Sequence, residues 1–355
     1  VFILFKKMKK LIFASKKLLK FIIYSFGSLF PKVSFKKNLD YRTFGLKSNS
    51  HFFCGYYDID PIDQTKNFIL AHKISETFTE NITPPFGEIV LFNISEDSFR
   101  VITETKALNW QLGSRVQWLE DGKIIYNDID NNIHCSKILN INTGAVERTF
   151  ERAFWSISPD KKIAGSLNFN RLYKKRPGYG YEGKSVDNDD EVITLTCVKS
   201  KKVIYEAYLD QILIDINFKQ NKNEDYYLNH ITWSPCSKKF LTFFHAESKN
   251  SLGRKIYPIL IDFKNNKIDL ILESGYFSHN VWLNENEILA YAKIDGQSNF
   301  FLRDSSFEWQ KIDYSLPSLD GHPTPIIGTP YVVVDSYPNR LGIMNLYLGS
   351  IDNKK

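Results

Sequence analysis

Asn229-His230-Ile231-Thr232-Trp233-Ser234-Pro235 is the stretch that decides the fold. It reads as the first strand of a β-sheet ending in a Trp-Ser-Pro anchor. A turn at Cys236-Ser237 follows, then the short apolar strand Phe240-Leu241-Thr242-Phe243. The same grammar recurs at Ile59-Asp60-Pro61, Trp118-Leu119-Glu120, Ile157-Ser158-Pro159, Trp282-Leu283-Asn284 and, less clearly, Pro325-Ile326-Ile327. A third run in each repeat closes in a polar hairpin, as in Ile138 to Gly144 and Leu260 to Asn266. Short strands punctuated by Asp, Asn and Gly turns, repeating roughly every 40–50 residues, indicate an all-β fold of the β-propeller type. An ordinary β-sandwich is the rival reading. Six blades are recognisable between residues 51 and 350. A seventh is either absent or assembled from residues 40–50 and the C-terminal tail, since pairing strands from both termini removes open sheet edges.

Composition divides the chain of 355 residues in two. Residues 1–37 hold many lysines and no acid, interleaved with Leu, Ile and Phe; residues 38–355 form the expected propeller domain. The longest uncharged stretch of the first part, Phe21 to Pro31, is too short to span a bilayer. It reads as a basic amphipathic helix lying on an anionic membrane surface, which places the protein peripherally on the cytoplasmic side of the inner membrane. Secretion is the alternative, although no small-x-small cleavage site follows the apolar run. The remainder is slightly acidic, so no nucleic-acid partner is expected. Cys54, Cys135, Cys197 and Cys236 lack any CxxC spacing and read as buried small residues.

Three residues before each anchor stand Tyr56, Arg115, Phe154, His230, His279 and, by the weaker alignment, His322. Blade-equivalent positions at the entrance of the innermost strand line the central channel. The channel mouth is therefore expected to present three imidazoles, a guanidinium and a phenol, a set able to hold a metal or move a proton. His51 could reach the same mouth. His72 and His245 correspond within their repeats and read as structural, and His134 as a surface residue. The third repeat carries a long insertion, Asn168 to Asp190, and loops of this kind concentrate function. In it, Arg171 and Arg176 are candidates for gripping an anion and Tyr179 and Tyr181 for stacking on sugar rings. Its glycines do not form a phosphate loop, because no strand-to-helix pattern surrounds them. Asp335 reads either as a carboxylate supporting this site or as a turn residue.

At these residues the chain resembles the oligogalacturonate lyases. The resemblance rests on His230 to Pro235 with Phe244-His245, and on Phe277-Ser278-His279-Asn280-Val281-Trp282. It is closer still to uncharacterised bacterial propeller proteins found among surface-polysaccharide genes. The shared features there are His51 to Asp58, Asn109 to Trp118, Arg171 to Tyr181, and Asp320-Gly321-His322-Pro323 followed by Asp335-Ser336-Tyr337-Pro338. The lyases are seven-bladed propellers that use a divalent metal, typically manganese. The resemblance implies proton transfer at His230 and a metal ligand at His279. The closely spaced His pair that completes the lyase metal site is missing here, and only His322 offers itself nearby.

Two functions are expected to compete. One is a glycan-binding scaffold or glycosyl-transfer component of surface-polysaccharide assembly. The other is a metal-assisted lyase that cleaves acidic oligosaccharides by β-elimination. In the lyase, His230 is the base, the metal or Arg115 neutralises the sugar carboxylate, and His279 and His322 hold the metal. Tyr56, Arg171, Arg176, Tyr179 and Tyr181 are the expected substrate contacts. A protein-binding propeller of WD-repeat type is weaker, because the repeats lack its Gly-His and Trp-Asp pairing.

Overall fold

The computed structural model describes residues 43–44, 50–74, 86–120, 122–176, 178–250, 253–312, 316–339 and 343–351. These residues form six antiparallel sheets in strict sequence order, a mainly β six-bladed propeller. The first blade is β1 (His51–Phe53), β2 (Phe68–Ile74), β3 (Gly87–Asn93) and β4 (Ser98–Thr105). The blades that follow open with β5 (Gln117–Glu120), β9 (Ser156–Ile157), β13 (Glu224–Trp233) and β17 (Phe277–Trp282), and each has four strands. The sixth, β21 (Pro323–Pro325), β22 (Tyr331–Asp335) and β23 (Leu346–Ser350), has three among the described residues. Two short helices, α1 (Phe169–Lys175) and α2 (Leu209–Asp215), lie in connections of the third and fourth blades.

Apolar side chains from facing sheets form the core between successive blades. Leu70, Ile89 and Leu91 of the first blade meet Val116, Ile124 and Tyr126 of the second. Leu119 and Ile138 meet Ile157 and Ala164 in the next seam. Leu241 and Phe243 meet Phe277 and Trp282 further round, and Leu289 and Phe300 meet Val332 and Val334 in the last such seam. Each side chain so buried contributes about 1.5–3 kcal/mol. The anchor tryptophans add a directed bond. Trp118 Nε1 donates to Pro61 O at 2.9 Å, and Trp282 Nε1 to Thr232 O at 3.0 Å. In each case the indole reaches the innermost segment of the preceding blade, which explains why Trp recurs at that register.

Several expectations are corrected. The inner strand of the first blade is His51–Phe53, eight residues before the Ile59 anchor, and near that anchor only an isolated Ile62–Ile69 bridge forms. The six blades recognisable in the sequence are all present as sheets among the described residues. His134 is buried, not superficial, with Nε2 3.2 Å from Glu182 O. Of the cysteines only Cys135 is buried; Cys54 is exposed. The expected membrane-surface helix lies outside the described residues, among which no helix is long and apolar enough to cross a membrane.

The first blade reaches its distant neighbours through aromatic rings at the axis. Tyr57 Oη donates to Asn280 O at 2.9 Å and accepts from Asn280 N at 3.0 Å, so one phenol satisfies both backbone groups of a fifth-blade residue. The same ring lies 4.6 Å from that of His322 in the sixth blade.

Candidate functional site

The channel mouth is built where inner strands lose their register. β13 slips between Asn229 and Thr232, and β17 between Phe277 and Asn280. A bulge of this kind re-aims one side chain off the sheet. His230 sits in the first slip with φ +66°, and His279 in the second. Arg115, just before β5, also has positive φ, +55°. The local grammar of strand, slip and anchor thus turns a repeated sequence position towards the axis.

The six ring positions then part company. Tyr56, His230 and His279 line a cavity of about 170 Å³, together with Tyr57, Arg176, Tyr179, Phe243, His245, Arg254, Tyr276, Ser278, Asp320 and Tyr337. His322 stands immediately behind, its ring centroid 3.9 Å from that of His279 and 5.5 Å from that of Tyr56. Phe154 is buried in the seam between the second and third blades, against Phe150. Arg115 is wholly enclosed. Its guanidinium makes a bidentate pair with Asp58 at 2.7 and 2.8 Å, and Nε donates to Trp155 O at 2.6 Å. A cation whose donors are spent in this way supports the ring and is not placed to meet a ligand.

The insertion divides similarly. Tyr181 is buried, stacked on Phe169 at 4.8 Å with Oη donating to Gly113 O at 3.0 Å, so it packs the core instead of offering a face to a sugar. Arg171 Nε is tied to Glu191 Oε1 at 2.8 Å. Arg176, at the C-cap of α1, is different. Its guanidinium lies 4.0 Å from the Tyr179 ring centroid at the cavity wall, and it makes no ion pair among the described residues. Arg254 lines the same cavity, is exposed, and makes no ion pair there either. Sequence inspection missed Arg254. The signal is the strand pairing: residue 254 faces Glu247, two positions from His245, so it shares the sheet face of His245. Tyr276, Asp320 and Tyr337 were likewise not among the expected contacts. His51 is exposed on β1 and does not line the cavity.

The histidines are neutral at pH 7 where burial dominates. His230 is held well below the ordinary imidazole range by burial, then by the Arg176 charge; its Nδ1 is buried without a partner. His245 is held down by burial and then by Arg176 and Arg254. His322 is lowered by burial and by His279, against the opposing pull of Asp335. Asp335 holds both Nδ1 of His322 at 2.9 Å and its backbone N–H at 2.6 Å, so it is the supporting carboxylate of the two readings. Asp320 does the same for His279 Nδ1 at 3.0 Å, and itself accepts from Ser278 Oγ at 2.7 Å. Burial pushes the Tyr56 phenol well up and that of Tyr337 up to about 12, so both are protonated and can donate.

Two imidazoles braced by carboxylates resemble metal ligands with their outer supports. The donor set stops there. Among the described residues, no group of three or more His, Cys, Asp or Glu side chains could hold a metal ion. A catalytic metal site ordinarily keeps three protein ligands. Among the described residues, His279 and His322 thus stand without the third ligand of the metal centre that the lyase resemblance implies.

No protein-family model matches the chain, and no curated protein matches it. Solved structures share its fold. The β-propeller domain of the Trilobed protease from Pyrococcus furiosus is 14% identical, over 81% of this chain and 78% of that one, with TM-score 0.49. Oligogalacturonate lyase from Vibrio parahaemolyticus is 11% identical over 84% and 90%, with TM-score 0.39. TolB from Acinetobacter baumannii is 14% identical over 75% and 60%, with TM-score 0.40. These are likenesses of propeller fold and assign no activity.

Proposed function

We propose that the chain is a carbohydrate-binding propeller whose channel-mouth cavity holds the acidic end of an oligo- or polysaccharide. The observation that carries this reading is the pair Arg176 and Arg254, which line one cavity without a carboxylate partner among the described residues. Every other arginine at the expected site is already spent on Asp58 or Glu191. Arginine grips carboxylate and sulfate bidentately, and the exposed rings of Tyr276 and Tyr337 offer a face for a sugar. The cavity is smaller than the roughly 300–1,000 Å³ of a site that encloses a whole ligand. It suits one residue of a chain that continues into solvent. Binding of a panel of acidic and neutral oligosaccharides tests this: acidic members bind and neutral ones do not, and a preference for neutral members would sink it.

The wider setting, assembly of bacterial surface polysaccharide at an anionic membrane, is inferred from the sequence resemblance and the basic segment 1–37. Flotation with anionic liposomes, with and without residues 1–37, checks the membrane part; equal flotation removes that segment as the anchor.

One observation favours a second reading, β-elimination without a metal. His230 is a neutral imidazole in the cavity, 5.5 Å from Tyr56 between ring centroids. It would take the proton beside the sugar carboxylate while Arg176 balances the charge. The glycosidic C–O bond would break as the C=C bond forms, and the leaving oxygen would take a proton from Tyr56. Unsaturated product, lost in His230→Ala, is the expected result; no product from any uronate oligosaccharide leaves binding alone.

A further inference from the structure

His245 reads from the sequence as structural, yet its hydrogen bonding leaves one donor uncommitted beside two arginines that lack a carboxylate partner among the described residues. The backbone N–H of His230 donates to Asn229 Oδ1 at 3.0 Å, which orients the carboxamide. Its Nδ2 then faces His245 Nε2 at 3.4 Å. An amide nitrogen only donates, so Nε2 is the unprotonated acceptor and the neutral ring carries its hydrogen on Nδ1. The ring is also clamped, stacked on Tyr227 with centroids 4.8 Å apart and planes within 3°. That leaves the Nδ1–H buried with no partner, on a residue only 1% exposed that lines the cavity with Arg176 and Arg254. A buried donor without an acceptor is unfavourable and is matched by a ligand that supplies one.

We propose that Arg176, Arg254 and the Nδ1–H of His245 form an oxyanion subsite that takes a single carboxylate, sulfate or phosphate group. The two guanidinium groups supply charge. His245 supplies a donor of fixed direction, so it selects a group that accepts in that direction. This rests on the reading of the cavity as an acidic-saccharide site, and adds the residue that discriminates.

The test uses the full chain with ¹⁵N-labelled histidine. Long-range ¹H–¹⁵N spectra show His245 as the Nδ1-protonated tautomer. Acetate, sulfate, phosphate and a short uronate oligosaccharide are titrated in separately. Each bound anion shifts the His245 Nδ1 signal, and His245→Phe weakens binding roughly 10- to 100-fold, the worth of one hydrogen bond to a charged group. Arg254→Gln, at an exposed position, weakens binding similarly without endangering the fold. If the saccharide binds but the His245 signal stays still and His245→Phe binds equally, the subsite is wrong while the saccharide reading survives. If simple anions shift the signal but no saccharide binds, the subsite stands and the saccharide reading falls. An Nε2-protonated tautomer in the free protein, or no binding of any anion, overturns the subsite directly.

Discussion

Arg115 and Arg176 both stand close enough to His230 to act on its imidazole, and one carboxylate separates their roles. Asp58 fills the fork of Arg115 in a region where the arginine side chain has no exposure, so the pair is a buried strut. Removing one partner leaves the other charge buried alone. Asp58→Ala is therefore expected to cost about 3–5 kcal/mol in urea unfolding; a change below 1 kcal/mol would show that the pair bears no weight. Burial acts on the imidazoles with a definite sign. His72 accepts the backbone N–H of Ser114 on Nε2 at 2.9 Å, and burial lowers it to about 4. The unfolded chain takes up this proton near pH 6.5 and the folded chain does not. The contribution is therefore complete above pH 6.5 and declines as pH falls towards 4, by up to about 1.4 kcal/mol per pH unit for each such histidine. His230 and His245 act in the same direction. Unfolding free energies measured at pH 7, 6 and 5 should fall with more than a one-proton slope, and a flat profile would contradict the buried neutral state. Arg115 was legible as a ring residue because its register repeats. Its pairing was not, because Asp58 lies 57 positions away and nothing local couples the two.

The elements that make the site are a slip in an inner strand and an insertion folded over it. The anchor motif showed where the inner strands lie, since its tryptophans must reach a carbonyl of the preceding blade. The slips were not visible, because a bulge is decided by pairing with the next strand and not by the residues that bulge. In the insertion, composition alone could not separate Tyr179 from Tyr181. One lines the cavity and the other stacks on Phe169, two residues apart on a chain bent by Gly180. Gly180 has φ +76°, and a Cβ there would stand 2.1 Å from Phe169 O. Gly180→Ala should therefore displace the segment carrying Arg176 and Tyr179. The expected outcome is faster proteolysis between residues 168 and 190 and weaker saccharide binding, with thermal unfolding of the ring lowered less than in Asp58→Ala. Unchanged binding would mean that the insertion does not shape the cavity.

At the scale of the whole molecule, the repeat explains why distant residues share one small volume. Tyr56, Arg176, His230, Arg254 and His279 are spread over most of the propeller yet line one cavity, beside the contact by which Tyr57 joins the first blade to Asn280 of the fifth. That convergence could be read from the repeat period. The identity of the free cations could not, because it depends on which arginines find carboxylates once the blades have packed. The account stands on the charge of the ligand meeting Arg176 and Arg254. Its most direct test is the dissociation constant of an acidic oligosaccharide against that of its methyl ester, which keeps size and shape but removes the charge. The account predicts at least a tenfold weaker ester, with the difference abolished in the double variant Arg176→Gln, Arg254→Gln; equal affinity for the two ligands in the unmodified protein would contradict it.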